Sequence, residues 1–578
     1  MKPFLSGLCL LFPSTLVAGD FAVVSVFPPA NSLTGSPGGA ISVTFNAPMD
    51  PASVTDLDFL VCGHWSGVRR GIWEFYEGNQ VLQFLPATSL SAGEMVAIVL
   101  GRGIRSSTGD SLAHGFAWNY WIATAPGTMA LSPAGSVTIR DSSNTHIQSY
   151  GAYSGDFNGD GFLDLAIPNE LSNDVRVFMN DQRGEYHGFT TFPITGGSVP
   201  SPNEGADFNG DGILDYAIGN TQNDKLTIMI GNGTGGFSSV TNYQAAQQVR
   251  GVAVLDIDGD GDIDVVTANR QGNSISVLRN NGDGTFATRV NLETGSSTET
   301  GVVNADANND GIMDLYVAGY SSNDITVMIG DGLGGFSPFT RMPVRGSHPW
   351  MIATGDINRD GNTDVASVNS SSNTASVLFG DGHGGLDSAA TYQVGGFPLA
   401  IDLGDIDGDG DLDLVTSNFS TGDWSVLEND GTGRLGNRRT LDASRAGSCA
   451  TLHDRDNDGD LDMTGIDEID DLVFLFRNGP PQSAGGATPL PVETSLQQNF
   501  PNPFNPTTTI EFRLGTTSFA TLTVYDLLGR VVEVLVRGPL QVGAHQVAFN
   551  AQGLPSGTYF YRLIADRTTL TRKMVVTR

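Results

Sequence analysis

DFNGDGFLD, running from Asp156 to Asp164, is the stretch on which the reading of this chain turns. It recurs as DFNGDGILD from Asp207, DIDGDGDID from Asp256, DANNDGIMD from Asp306 and DINRDGNTD from Asp356. DIDGDGDLD from Asp405 and DRDNDGDLD from Asp454 complete seven copies, spaced 51, 49, 50, 50, 49 and 49 residues apart. Positions 1, 3, 5 and 9 are always Asp or Asn, and position 6 is always Gly. Oxygen donors at alternate positions, a glycine that permits a sharp turn and a late acidic residue describe a cage for a hard cation. Calcium, which accepts six to eight oxygens in flexible geometry, suits such a cage better than magnesium. One copy would pass as a solvated Asp/Gly turn, but seven with the same polar positions do not.

The expected ligands are Asp156, Asn158, Asp160 and Asp164 in the first loop, and Asp207, Asn209, Asp211 and Asp215 in the second. Asp256, Asp258, Asp260 and Asp264 follow, then Asp306, Asn308, Asp310 and Asp314. The last three sets are Asp356, Asn358, Asp360 and Asp364; Asp405, Asp407, Asp409 and Asp413; and Asp454, Asp456, Asp458 and Asp462. An EF-hand would need a glutamate at position 12 and flanking helices. Position 12 instead holds Ile167, Ile218, Thr267, Val317, Ser367, Thr416 and Gly465, and the flanks are short β-type runs. The loop therefore joins two strands. Positions 1, 3, 5 and 9 hold 24 of the 63 acidic residues in a chain of net charge −33. Carboxylates so close repel one another until cations neutralise them, and so acidic a chain is a poor partner for nucleic acid.

A period near 50 residues with four strand signals per repeat predicts radial blades. In the third repeat the expected strands are 251–255, 263–268, 275–278 and 286–292, with the acidic loop between the first two. A third-strand-plus-turn module recurs at 226–237, 325–336, 375–386 and 424–435. With the loops, this module resembles the FG-GAP/VCBS repeats of integrin-α-type propellers. The resemblance implies a seven-bladed β-propeller over 127–480 with up to seven structural calcium ions. The last repeat stops at Gly479-Pro480-Pro481 without a fourth strand, while an orphan run, Ser136-Val137-Thr138-Ile139, precedes the first loop. A strand over 136–140 is predicted to complete the last blade and remove the free sheet edge.

The flanks read as export machinery and a spacer. Residues 1–19 carry Lys2, an apolar run and Val17-Ala18-Gly19, the pattern of a secretory signal too short to span a membrane. After cleavage Cys62 and Cys449 remain, in different domains, so a disulfide is not expected. Residues 20–126 alternate like one β-sandwich, and Ile41 to Asp50 with Gly109-Asp110-Ser111-Leu112 is similar to bacterial Ig-like domains. A linker over 481–492 leads to 493–578, predicted from composition as a small β-sandwich. There Phe500-Pro501-Asn502-Pro503-Phe504-Asn505-Pro506, Val524 to Arg530, Leu554 to Tyr561 and a basic end closely resemble the type A sorting domain of type IX secretion. That resemblance implies a partner in the type IX machinery and a place outside a Gram-negative cell, secreted or on the outer-membrane surface. The whole is an all-β chain, expected to be monomeric.

No catalytic motif emerges: there is no HExxH, GxSxG or P-loop, and the eight histidines are scattered. The chain is read as a non-catalytic binder, the alternative being a polysaccharide lyase or glycosidase assembled from distant loops. The acidic loops share a face with the third-to-fourth turns, so variation belongs to the opposite face. Six residues before each loop stand Tyr150, Ser201, Arg250, Thr300, Trp350, Leu399 and Ser448. Tyr150, Arg250 and Trp350, with His348, are the candidate ligand-binding residues, and Tyr320, Arg270, Phe397 and Phe419 are expected nearby on the same face. Aromatic and cationic groups of this kind suit an extracellular glycan or protein.

Overall fold

The computed structural model describes residues 21–479, 495–496, 499, 502, 504–514, 518–527, 530–540, 543–565 and 568–577. The expected signal segment and linker fall outside them. Among the described residues the chain is β throughout, apart from one 3-10 turn at Pro51–Ser53. Among the described residues no helix is long and apolar enough to cross a membrane.

Seven four-stranded antiparallel sheets follow the acidic repeats. Their first strands are Tyr153–Gly155, Pro200–Ala206, Val249–Leu255, Glu299–Ala305, Pro349–Gly355, Pro398–Gly404 and Gly447–His453. Each neighbours the next in order, and the seventh neighbours the first. Every second strand begins at the last Asp of its loop, from Asp164–Asn169 to Asp462–Asp467. Second strands are fully buried, which explains their near-continuous apolar sequence. Fourth strands are largely exposed to water.

The core lies between sheets. Tyr153, Phe157 and Val177 of the first pack against Leu214, Tyr216 and Met229 of the second. Ile167 and Phe178 of the first pack against Ile466, Val473 and Leu475 of the seventh. Ser132–Thr138 completes the seventh sheet by pairing with Leu472–Arg477, Thr138 opposite Leu472 and Ser132 opposite Arg477. The closing strand thus lies a few residues earlier than expected. Ile139 leaves the ladder to donate its amide to the Asp471 carbonyl, and the Arg140 guanidinium pairs with the Asp471 carboxylate at 2.7 Å. In the third sheet the outer strand shrinks to Val290–Leu292, with only a single Asn280–Phe286 bridge nearer the turn.

The N-terminal sandwich has one sheet of Val23–Phe27, Ile41–Phe45, Val81–Pro86 and Gly71–Tyr76, in that spatial order. The other runs Gly67–Val68, Phe59–Gly63, Met95–Leu100, Phe116–Trp121. The C-terminal unit is a second sandwich. Ser495–Leu496, Thr507–Leu514 and Gly543–Asn550 form one sheet, and Val531–Leu540, Ser518–Tyr525, Gly557–Ala565 and Thr568–Val576 the other. Ile510, Phe512, Leu522, Tyr561 and Leu563 fill its core.

Candidate functional site

Each acidic loop is organised by its own carboxylates. The position-1 Asp accepts the amide of the position-6 Gly in all seven copies, from Gly161 to Asp156 (3.0 Å) through Gly459 to Asp454 (3.0 Å). Those glycines sit at φ +82° to +97°, which a side chain would strain. The position-5 Asp accepts the position-7 amide in every copy. The position-9 Asp latches the loop to the sheet: Asp314 accepts Gly330 N through Oδ1 (2.8 Å) and Ala307 N through Oδ2 (2.9 Å). Equivalent Oδ1 bonds reach Asp164, Asp215, Asp264, Asp364, Asp413 and Asp462.

In the third, sixth and seventh loops, positions 1, 3 and 5 bring a carboxylate oxygen each within 4.8 Å of the others. These loops also carry an unanticipated acid at position 7, Asp262, Asp411 and Asp460, visible in sequence as the full D-x-D-x-D-x-D-x-D alternation. The buried Oδ1 atoms of Asp258, Asp405, Asp411, Asp456 and Asp460 have no hydrogen-bond partner. A carboxylate cluster with an orphaned oxygen in it, such as Asp256, Asp258 and Asp260, fits a divalent cation. Burial and then the neighbouring carboxylates push Asp411 up to about 7. Burial, opposed by two backbone bonds, takes Asp413 to about 8. Each of these three loops also has an arginine: Arg279 to Asp258 (3.4 Å), Arg359 to Asp411 (3.4 Å) and Arg477 to Asp456 (2.9 Å). The seventh adds Arg455, wholly buried, with Nε 3.6 Å from Asp462. Guanidinium charge thus offsets only part of the acid in these loops.

The loops share one face, and the N-terminal sandwich lies on it. Arg359 of the fifth loop donates to the Asp409 carbonyl of the sixth, and Asn457 of the seventh donates to Gly161 O of the first at 2.8 Å. The sandwich and the segment that leaves it, through Gly127, meet all seven loops at loop main-chain atoms. Asp156 N donates to Trp65 O (2.9 Å), and Arg70 donates to Gly210 O (3.1 Å). Gly259 O and Gly311 O accept Arg102 N (2.9 Å) and Ala117 N (2.7 Å), and Gly361 O accepts the Asn31 amide (3.3 Å). Asp407 O and Gly459 O accept Gly127 N (2.9 Å) and Ala125 N (2.6 Å). His64 and Trp65 enter that end of the channel, lining a cavity of about 310 Å³ with Glu204, Asp256 and Asp402.

At the other end the expected residues converge. Trp350 Nε1 donates to Tyr150 Oη at 2.9 Å, joining the fifth and first sheets across the channel. The Arg250 and Arg270 guanidiniums lie 5.6 and 5.2 Å from the Trp350 ring centre. Tyr320 packs edge-on to Trp350 at 5.5 Å and against His348 at 4.4 Å. Tyr150, Arg250 and Trp350 line a second cavity of about 180 Å³ that continues down to His64 and Asp402. Phe397 and Phe419 pair with each other at 6.3 Å.

One backbone bond repeats behind this face. The residue 14 after each loop's first Asp donates its amide to the carbonyl eight before it: Glu170 to Gln148, Thr221 to Val199, Arg270 to Gln248, Tyr320 to Thr298, Ser370 to His348, Phe419 to Phe397 and Glu468 to Ala446. The frame is constant and the side chains differ. It adds Gln148, Glu170 and Glu468, which the sequence reading missed although they occupy the registers of His348, Arg270 and Tyr320. The Gln148 amide donates to Glu170 (2.8 Å) and Glu468 (3.0 Å). Burial and then Glu170 raise Glu468 to about 7.

Comparison with known proteins follows these divisions. Residues 19–121 match the bacterial Ig-like domain. Residues 498–577 match the secretion system C-terminal sorting domain, which marks the chain for secretion or cell-surface attachment. No curated protein matches. Among solved structures, one described as the structural basis of recognition of non-reducing terminal N-acetylglucosamine by an Agrocybe aegerita lectin is 18% identical. It covers 61% of this chain and 90% of its own, with a TM-score of 0.38. A functionally unknown protein from Desulfotomaculum acetoxidans is 14% identical, covering 65% and 96%, with a TM-score of 0.36. The FG-GAP-like repeat matches six overlapping spans from 156–218 to 405–464, together more than half of the sequence, and the chain belongs to that family.

Proposed function

We propose that this is a secreted or surface-displayed binding protein whose mouth, the end away from the acidic loops, captures an extracellular glycan without transforming it. One observation carries the reading: Tyr150, Arg250, Arg270, Tyr320, His348 and Trp350, from four repeats, meet on the end of the channel that the sandwich does not occupy. Aromatic surface beside cations and hydrogen-bonding groups is the chemistry of saccharide and protein recognition. Calcium would be held by the acidic loops as a structural ion, supported by the clustered, unpartnered carboxylate oxygens. Its affinity is expected on the order of 10⁻⁴–10⁻³ M, as in extracellular modules.

A second reading has its own support. Glu170 and Glu468 share one amide, and Glu468, raised to about 7, is a carboxyl able to carry a proton near neutrality. That is a component of glycoside hydrolysis. Presenting the full chain to a glycan array, then assaying retained glycans for reducing ends or unsaturated products, separates the two. Retention without turnover is expected; release of new ends would replace the binder with a hydrolase or lyase.

A further inference from the structure

The mouth is electrically polarised. Carboxylates occupy the first and seventh sheets, where Glu170 and Glu468 are bridged by Gln148. Guanidiniums occupy the third, where Arg250 and Arg270 both approach the Trp350 ring. Arg250 reaches Glu170 at 3.9 Å. Among the described residues Arg270 has no carboxylate within 4.0 Å, and its partner is the Tyr320 ring at 4.8 Å. Nε of both arginines is enclosed without a hydrogen-bond partner, as are His348 Nδ1 and Gln248 Oε1. Burial and then Arg250 lower the Arg270 pKa, the mark of a cation short of counter-charge. Of the two partly buried guanidiniums, Glu170 and Glu468 both act on Arg250, which leaves Arg270 as a cation without a close carboxylate in a chain of net −33. An anion with planar or tetrahedral oxygens would bond both forks at once.

Resting on the glycan-binding reading, we propose that the mouth takes an anionic saccharide. Its carboxylate or sulfate ester is held between Arg250 and Arg270, a sugar face lies near Tyr320, and hydroxyls point to Gln148, Glu170 and Glu468. The chain's overall negative charge repels polyanions at long range, so retention of one would report a local site and not general attraction.

The test is calorimetry of the full calcium-loaded chain against hyaluronan, dextran sulfate, dextran and poly-glutamate. Hyaluronan or dextran sulfate is expected to bind at least about tenfold tighter than dextran, and the stronger of the two identifies carboxylate or sulfate. Arg270→Gln should cut that binding by about tenfold or more at unchanged melting temperature, and Arg270→Lys should restore part of it. Equal binding of dextran, an unaffected Arg270→Gln variant, or poly-glutamate bound as tightly as the sugars would overturn the inference. If a neutral glycan binds and Trp350→Ala abolishes it while charged sugars do no better, binding at the mouth survives and the anion does not. If no saccharide is retained at all, both fall.

Discussion

Glu204, on the first strand of the second sheet, faces the channel with no salt-bridge partner strong enough to hold it ionised. His64 Nε2 is 3.9 Å away, but burial lowers that imidazole to about 4 and keeps it neutral. Burial, then Asp402, raises Glu204 to about 8, and burial raises Asp402 to about 6. A carboxyl whose folded pKa lies above its ordinary value binds its proton more tightly in the folded state. The stability it contributes is therefore full below pH 4.5 and is lost as pH rises through about 8. Glu204→Gln should flatten that decline, losing about 1–3 kcal/mol less than the parent between pH 5 and 8 at fixed calcium. Parallel urea titrations at the two pH values check this, and identical slopes for both proteins would sink it. Gly311→Ala is a second single-site case. The residue sits at φ +82°, and an added Cβ would lie 2.2 Å from the Phe116 ring of the sandwich. A loss of about 2 kcal/mol or more is expected by thermal melting. The acidic positions were readable because they repeat. Glu170 and Glu468 were not, because they stand at registers where the repeats differ.

The turns between second and third strands hold the mouth in place. Asn173, Asp224, Asn273, Asn323 and Asn373 all adopt positive φ, a conformation Asn and Asp tolerate. Each accepts, through its side-chain oxygen, the amide at the start of the next sheet: Val199, Gln248, Thr298, His348 and Phe397, at 2.7–2.9 Å. In the seventh sheet Asp471 turns to the first, accepting Ser149 N at 3.2 Å and Ile147 N at 3.1 Å. Gly422 takes the place in the sixth and can make no such bond. Asn323→Ala should free His348 N, costing about 1–2 kcal/mol and weakening any ligand that rests on His348 and Tyr320. Denaturation and glycan retention measured on the same variant check it; unchanged values for both would show the clamp to be dispensable. Strand order and the closing strand followed from alternation and from the missing fourth strand. Their ends did not: the closing strand ends at Thr138, two residues short of the expected end, and Arg140 beyond it pairs with Asp471.

The pairing of sandwich and ring could not be read from the sequence, because it is made largely by loop carbonyls that any residue supplies. Gly259, Gly311 and Gly459 offer their oxygens to Arg102 N, Ala117 N and Ala125 N, and those oxygens belong to the loops proposed to hold calcium. A loop fixed by a cation would present its carbonyls in one geometry, whereas three to five carboxylates without a bound cation repel and widen it. Calcium should therefore stabilise the ring and hold the sandwich on it. Each site contributes roughly 2.7 kcal/mol at 100 times its dissociation constant, and several acting together should raise the melting temperature well above that in EDTA. Hydrogen exchange adds a local readout. In calcium the amides of 102–127 should be protected along with the loops, and EDTA should release both sets together. Protection of 102–127 that persists in EDTA while the loops exchange freely would separate the docking from the metal. A melting temperature and exchange pattern unchanged by EDTA would remove calcium from the account of this fold.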